Sequence, residues 1–256
     1  MADTGSFRTE KQSPTDQIAE ISGSDWNNAS LDNLELKNGV LSIPAAIPQS
    51  SIYRWWGGNI TVADGSNADP WPEELAGIDT SAMGGQTFRE GYIGFDAVEF
   101  DGVDDYYTWS PDSQLPIGDE TFSLMTLVYS SSWGSGSYDI VGWGNSSSND
   151  GHGLMIRGGN VSHRTYGNTL LGSAAPTSEW FTFGVSYDGS TRNLYLNGSQ
   201  DTSDSPSYSV SDNNHTIGRS PFDSSGYFDG CVAEIIVCND AEDAQAFGNY
   251  HSNRLG

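Results

Sequence analysis

Lysine is almost missing from this chain: Lys11 and Lys37 are the only two in 256 residues. All bases together number 10 against 34 acids, for a formal net charge of -24. That balance excludes the basic patches needed to grip phosphates, so nucleic acid is not an expected partner. Cysteine is scarce as well, with Cys231 and Cys238 alone. On one strand they would lie about 23 Å apart at ~3.3 Å per residue, whereas a disulfide needs Cα atoms within roughly 7 Å. Their odd offset points them to opposite faces, so both are expected as buried small hydrophobes. No apolar run is long enough to span a membrane, and membrane insertion is not expected. Met1 to Lys11 lacks the apolar core of a signal peptide. An external protein without a signal peptide is expected to assemble in the cytoplasm and then be released, as virus particles are. The four histidines show no metal-ligand spacing, and no Ser-His-Asp grouping, P-loop or dinucleotide fingerprint occurs.

What is present is acid spread among aromatic and β-branched residues, with abundant glycine, serine and asparagine. An acidic folded surface without lysine stays hydrated at very high salt, where screening over roughly 3 Å or less removes most self-repulsion. A halophile's protein is the reading; an ordinary acidic secreted protein is the alternative. Leucine is sparse and long helical patterns are missing, which favours an all-β chain.

Residues 1 to 47 differ from the remainder. A polar opening is followed by Leu31, Leu34, Leu36, Val40, Leu41 and Ile43, broken by an Asn38-Gly39 turn signal, as in a small hairpin. A piece this short buries too little surface to stand alone. It is expected to attach or oligomerise, and Pro44 and Pro48 mark its boundary with a domain over residues 48 to 256. From Phe95 onward short strands recur between turn clusters. Trp180 to Tyr187 alternates, with Phe181, Phe183, Val185 and Tyr187 expected to face the core. Ten or more such strands predict a two-sheet jelly-roll sandwich. Residues 227 to 240, YFDGCVAEIIVCND, read as a turn and a buried strand, with Asp240 capping a short C-terminal helix.

Three segments carry a resemblance. They are YFDGCVAEIIVCND, YDGSTRNLYLNG at residues 187 to 198, and VEFDGVDDYYTW at residues 98 to 109. In this order they resemble the laminin-G-like domains of the concanavalin A-like lectin and glucanase superfamily, over about residues 50 to 256. The resemblance implies a concanavalin A-like sandwich that commonly binds glycans or proteins.

It also implies candidate sites. Laminarinase-like members carry paired acids on a strand, which makes Glu99 and Asp101 the catalytic candidates. Retaining hydrolysis needs carboxyl groups about 5 to 5.5 Å apart, and the competing reading is a Phe-Asp-Gly hairpin turn with Asp104 on the returning strand. Members also often hold calcium, which takes six to eight oxygens. Here Asp64, Asn67 and Glu234 match that ligand set, although Ala233 stands where the pattern has Asp. The other role for Glu234 is an ion pair with an arginine such as Arg54. Sugar binding needs flat aromatic faces with polar neighbours, and Trp133, Tyr138, Trp143, His163 and Tyr166 lie in or beside loops between central strands. The alternative for each is packing. Asn28, Asn59, Asn145, Asn160, Asn197 and Asn214 each begin an Asn-x-Ser/Thr acceptor.

These readings converge on a non-enzymatic virion surface protein of a halophilic virus. It would form a homo-oligomer, contact other virion proteins through residues 1 to 47, and adhere to a host-surface glycan or glycoprotein. A secreted glycoside hydrolase or lyase and a cellular adhesion module are the alternatives.

Overall fold

The computed structural model describes residues 35–37, 40–42, 51–78, 80–111, 114–223, 225–241, 244, 247–248 and 251. The chain divides into two units, Met1–Ala45 and Ala46–Gly256. In the first unit β1 (Glu35–Lys37) and β2 (Val40–Ser42) pair antiparallel, as the hairpin pattern predicts. The Asn38-Gly39 turn between them lies outside the described residues, as does most of this segment.

The second unit continues with β3 (Ser51–Trp56), β4 (Ser81–Met83), β5 (Thr87–Tyr92), β6 (Phe95–Asp101), β7 (Tyr106–Thr108) and β8 (Phe122–Tyr129). Next come β9 (Ser137–Trp143), β10 (His152–Arg157), β11 (Asn160–Thr165), β12 (Asn168–Ala174) and β13 (Trp180–Tyr187). The last are β14 (Arg192–Leu196), β15 (Ser199–Asp204), β16 (Thr216–Ile217) and β17 (Asp229–Cys238). All pairings are antiparallel and form two sheets, a jelly-roll sandwich with almost no helix. The larger, eight-stranded sheet runs β15-β14-β13-β8-β17-β6-β5, with β3 also on β17. The smaller, seven-stranded sheet runs β12-β11-β10-β9-β16-β7-β4.

β17 is the spine of the larger sheet. Along one side it pairs with β8 from Cys231 to Cys238, and along the other with β6 at Asp229–Val232 and then β3 at Glu234–Cys238. The register on β8 shifts between Val232 and Glu234, a bulge at Ala233. A bulge adds one residue and inverts the face of everything after it. Val232, Ile235 and Val237 therefore point into the core between the sheets, while Cys231, Ala233, Ile236 and Cys238 point outward. This corrects the expectation that the cysteines face opposite ways: both lie on the outer face, buried and not joined in a disulfide.

Two apolar layers result. The first fills the space between the sheets and includes Phe181, Phe183, Val185 and Tyr187, the set predicted from alternation. The second covers the outer face of the larger sheet, where Trp180, Phe95, Met125 and Leu127 pack with Ala244 and Phe247. Ala244, Phe247, Gly248 and His251 are helical, in the segment expected as a C-terminal helix. Because of this layer β13 is buried on both faces, not one. In the YDGSTRNLYLNG segment Asn197 (φ 47°) and Gly198 (φ 75°) join β14 to β15 with the left-handed geometry that favours Asn-Gly.

The Phe-Asp-Gly segment departs from expectation. β6 belongs to the larger sheet and β7 to the smaller one, so residues 102 to 105 cross between sheets rather than turn a hairpin. Asp104 lies in that crossing, not on a returning strand. Gly102 takes φ 75° there, and a Cβ would approach Asp229 Cβ to 2.9 Å.

Candidate functional site

The catalytic candidates line an acidic cleft. Glu99, Asp101, Asp104, Asp105 and Asp229 border a cavity of about 440 Å³ with Thr87 and Gly85. Alternation on β6 sends Val98 and Phe100 to the core and leaves Glu99 and Asp101 on the other face. Each already has a partner. Arg89 Nε donates to Glu99 at 2.7 Å, and Asp101 accepts the backbone N–H of Val103 at 2.8 Å and of Asp104 at 3.3 Å. Asp105 accepts the N–H groups of Gly85 at 2.5 Å and Asp101 at 3.0 Å. Burial raises the Asp105 carboxyl against the lowering effect of those two N–H bonds, and burial raises Asp229 with Asp101 adding to it. One ligand atom each from Asp101, Asp104 and Asp105 lies within 4.8 Å of the others. Among the described residues this is the group whose oxygens suit a hard cation such as calcium.

The calcium ligands expected from the resemblance fare differently. Asp64 and Asn67 are exposed on a loop along β5, where Asp64 accepts the N–H of Glu90 at 3.1 Å and Asn67 bridges to Thr87. Glu234 is committed elsewhere. Its Oε1 accepts from Arg54 Nε at 2.6 Å and its Oε2 contacts His251 Nε2 at 2.8 Å, all three side chains being buried. Burial alone would raise this carboxyl, but Arg54 and His251 outweigh it and hold it at about 2. The Arg54 pairing is the one anticipated from sequence. Glu234 is thus corrected from metal ligand to member of an internal ion-pair cluster.

The five aromatic and histidine candidates are scattered. Trp143 is fully buried in the core and donates to Pro116 O at 3.1 Å. His163 is equally buried, with Nδ1 3.1 Å from Arg192 Nη1. Burial, then the charge of Arg192, lowers its pKa well below the ordinary range. Neither offers a face to a sugar, because both point inward from strands of the smaller sheet. Trp133 and Tyr138 are half-buried at the core margin, where Trp133 packs on Phe181 and Phe228 and donates to Pro176 O at 2.7 Å. Tyr166 alone is exposed, at 42 %, edge-on to Phe222 at 6.1 Å.

Tyr166 borders a surface that the sequence reading missed, the outer face of the smaller sheet. Ile156, Val161, Tyr107 and Ile217 point into the core, so Arg157, Arg164, Tyr106 and Thr216 point out. The segment after β16 folds over part of this face. Arg219 lies over the Tyr106 ring at 3.8 Å, and Arg164 over the Phe222 ring at 4.6 Å while donating to Ser220 Oγ at 2.8 Å. Two cavities open here. One of about 430 Å³ is lined by Trp109, Asn214, His215, Arg219 and Asp223, among others. The other, of about 660 Å³, is lined by Ser137, Arg157, Asn160, Thr169 and Leu171. His215 contacts Asp212 at 2.7 Å, and burial lowers its pKa against the opposing pull of that aspartate. The available signal was the scarcity of bases: an arginine in so acidic a chain needs a reason.

Beneath Gly226 lies Asp139, 1 % exposed and without a hydrogen-bond partner for either oxygen. Burial pushes its carboxyl up to about 7, opposed by Arg164 and assisted by Asp223.

Comparison with known proteins agrees with this architecture. The family described as the concanavalin A-like lectin/glucanases superfamily matches residues 101–246. No curated protein matches the sequence. Domain 4 of an extracellular arabinanase from Geobacillus stearothermophilus, solved with arabinotriose, aligns at 15 % identity and TM-score 0.55, covering 77 % of this chain and 96 % of that one. The Trypanosoma rangeli sialidase aligns at 13 % identity and TM-score 0.57 over 82 % of this chain but 34 % of its own. The botulinum neurotoxin serotype D binding domain gives 14 % identity, TM-score 0.57, and 83 % and 53 % coverage. At such identities these likenesses speak to fold alone. With the match over residues 101–246, more than half of its length, this chain belongs to the concanavalin A-like lectin/glucanases superfamily.

Proposed function

We propose that this is a non-enzymatic binding protein, displayed on the surface of a halophilic virus, whose sandwich adheres to a host-surface glycan or glycoprotein. The observation that carries the binding role is the outer face of the smaller sheet, with two open cavities lined by polar side chains and arginine. Solvent-facing hollows with convergent polar groups suit sugar hydroxyls. The non-enzymatic part is supported by Glu99 and Asp101, which are engaged by Arg89 and by turn N–H groups rather than poised across an empty gap. The arabinanase domain was solved with a saccharide, which makes a glycan the first ligand to try. The halophilic setting rests on the net charge of -24. Residues 1 to 47 are assigned to attachment, to other virion proteins and to further copies of the chain.

A glycan array probed with the full chain at molar salt tests the adhesion role. Saturable binding to a defined glycan class is expected, and binding to none overturns it. Light scattering on the full chain and on one starting near Ser50 tests attachment. An oligomer that becomes a folded monomer on truncation is expected, and a monomeric full chain sinks that part. The hydrolase reading keeps one observation in its favour, that Glu99 and Asp101 share the acidic cleft. Polysaccharide cleavage by the protein that disappears in Glu99→Gln would establish it instead.

A further inference from the structure

The six arginines described in the sandwich fall into two groups. Arg54 on β3, Arg89 on β5 and Arg192 on β14 belong to the larger sheet, and each forms an ion pair with a carboxylate. Arg157, Arg164 and Arg219 belong to the smaller sheet or the segment following its strand β16. Among the described residues none of these three has a carboxylate within ion-pair distance, in a chain where acids outnumber bases 34 to 10. With acids in such excess, random placement would pair most arginines. All three unpaired ones share one outward face.

They are also held in place without being neutralised. Arg219 stacks on Tyr106 and Arg164 on Phe222, contacts that fix a guanidinium plane and leave its charge and outer N–H groups intact. The Nε atoms of both are buried and lack a hydrogen-bond partner. Arg157 Nη1 is steadied by Thr169 Oγ1 at 3.2 Å in the larger of the two cavities. The nearby acids form no direct ion pair with these arginines. Asp223 lines the Arg219 cavity but forms no ion pair with Arg219, its Oδ1 accepting the N–H of Ser225 at 3.1 Å. Asp139 near Arg164 is driven toward its neutral form by burial. Pre-oriented guanidinium forks fit planar or tetrahedral oxyanions, and less freedom is lost on binding. Tyr166, exposed beside Phe222, adds an aromatic face of the kind that packs on a sugar ring.

We infer that the outer face of the smaller sheet is a receptor for acidic saccharide chains, with Arg219 and Arg157 binding the carboxylate or sulfate groups of successive sugars. This rests on the glycan-binding reading above and names its ligand class and its site.

The test is calorimetric titration of the full chain, at low and at molar salt, with trigalacturonate, a sulfated trisaccharide and neutral galactotriose. The acidic probes bind about tenfold or more tighter than the neutral one, and the stronger of the two identifies the oxyanion. Arg219→Gln and Arg157→Gln each lose about tenfold for the acidic probes. Arg219→Lys, which keeps charge but not the fork, recovers only part of the loss. Arg157 is exposed, so its substitution tests the site without endangering the fold. Equal affinity for acidic and neutral probes, or variants that bind acidic saccharide like the parent, overturns the inference. Neutral glycans bound in place of acidic ones would end it and leave adhesion standing, whereas no saccharide bound at all would end both.

Discussion

The two sheets of this sandwich use the same residue type in opposite ways. On the larger sheet every arginine is paired: Arg54 and Arg192 are nearly or fully buried and each bonds a carboxylate, Arg192 reaching both oxygens of Asp204, while the partly exposed Arg89 pairs with Glu99. On the smaller sheet Arg157, Arg164 and Arg219 face outward, and among the described residues none has a carboxylate in ion-pair distance; Arg164 and Arg219 rest on rings instead. Arg54 lies on the outer face that Phe247 and Ala244 cover, and Arg192 lies between the sheets against His163, so both charges must be compensated internally. The smaller sheet is only partly covered and can leave charge for a ligand. The difference separates structural arginines from those free to bind.

The sharpest way to break that contrast is to remove one structural partner. Arg54→Leu leaves Glu234 buried with only His251, and a loss of about 3–5 kcal/mol is expected in chemical denaturation. Retention of full stability would show that the cluster is no more structural than the outer arginines.

Acid should act mainly on the inside groups. His152 is fully buried, and burial, then Arg192, hold its pKa at about 3, below its ordinary 6.5. The folded state then binds fewer protons than the unfolded one in this window, so stability is full above about 6.5 and falls as pH drops toward 3. Glu234, held at about 2 against an ordinary 4.5, adds a second loss as pH falls below 4.5. A urea midpoint that stays flat from pH 7 to pH 4 in Asp139→Asn, which lacks the opposing carboxyl, would contradict this.

Asp139 gives the opposite slope. Its folded pKa of about 7 lies above the ordinary 3.8, so its contribution falls as pH rises from about 4 through 7. Asp139→Asn is expected to stabilise by about 1–3 kcal/mol at pH 8 and by little at pH 4. An equal effect at both pH values would mean that its charge is compensated.

The smallest effects belong to the exposed charges. Arg89→Gln, which breaks a pair about one-third exposed, should cost roughly 0–1 kcal/mol. Arg157→Gln should stay within about 0.5 kcal/mol. A large loss of stability in Arg157→Gln would move that residue into the structural class.

Much of the fold was legible in sequence. Alternation in Trp180–Tyr187 named the inward set, the Asn38-Gly39 signal named the β1-β2 pairing, and the apolar run before Asn239 named the central strand. These signals are local, since periodicity and turn conformation depend on neighbouring residues. The candidate site was less legible. Of the five proposed sugar-binding residues, Tyr166 alone lies exposed on the arginine-bearing face, because a strand pattern cannot say whether Trp143 or His163 points inward. Glu234 matched a ligand position, yet its partners Arg54 and His251 are far apart in sequence and meet only in the folded sheet.

By itself the sequence determined a lysine-poor acidic sandwich with a hairpin-bearing first segment, because composition, turn chemistry and strand rhythm are properties of short stretches. Only the tertiary structure decided the bulge that turns both cysteines to one face, the crossing of residues 102 to 105 between sheets, and the division of the arginines. Each depends on which distant strand lies alongside, and that is set by the burial of the whole core rather than by any local run of residues.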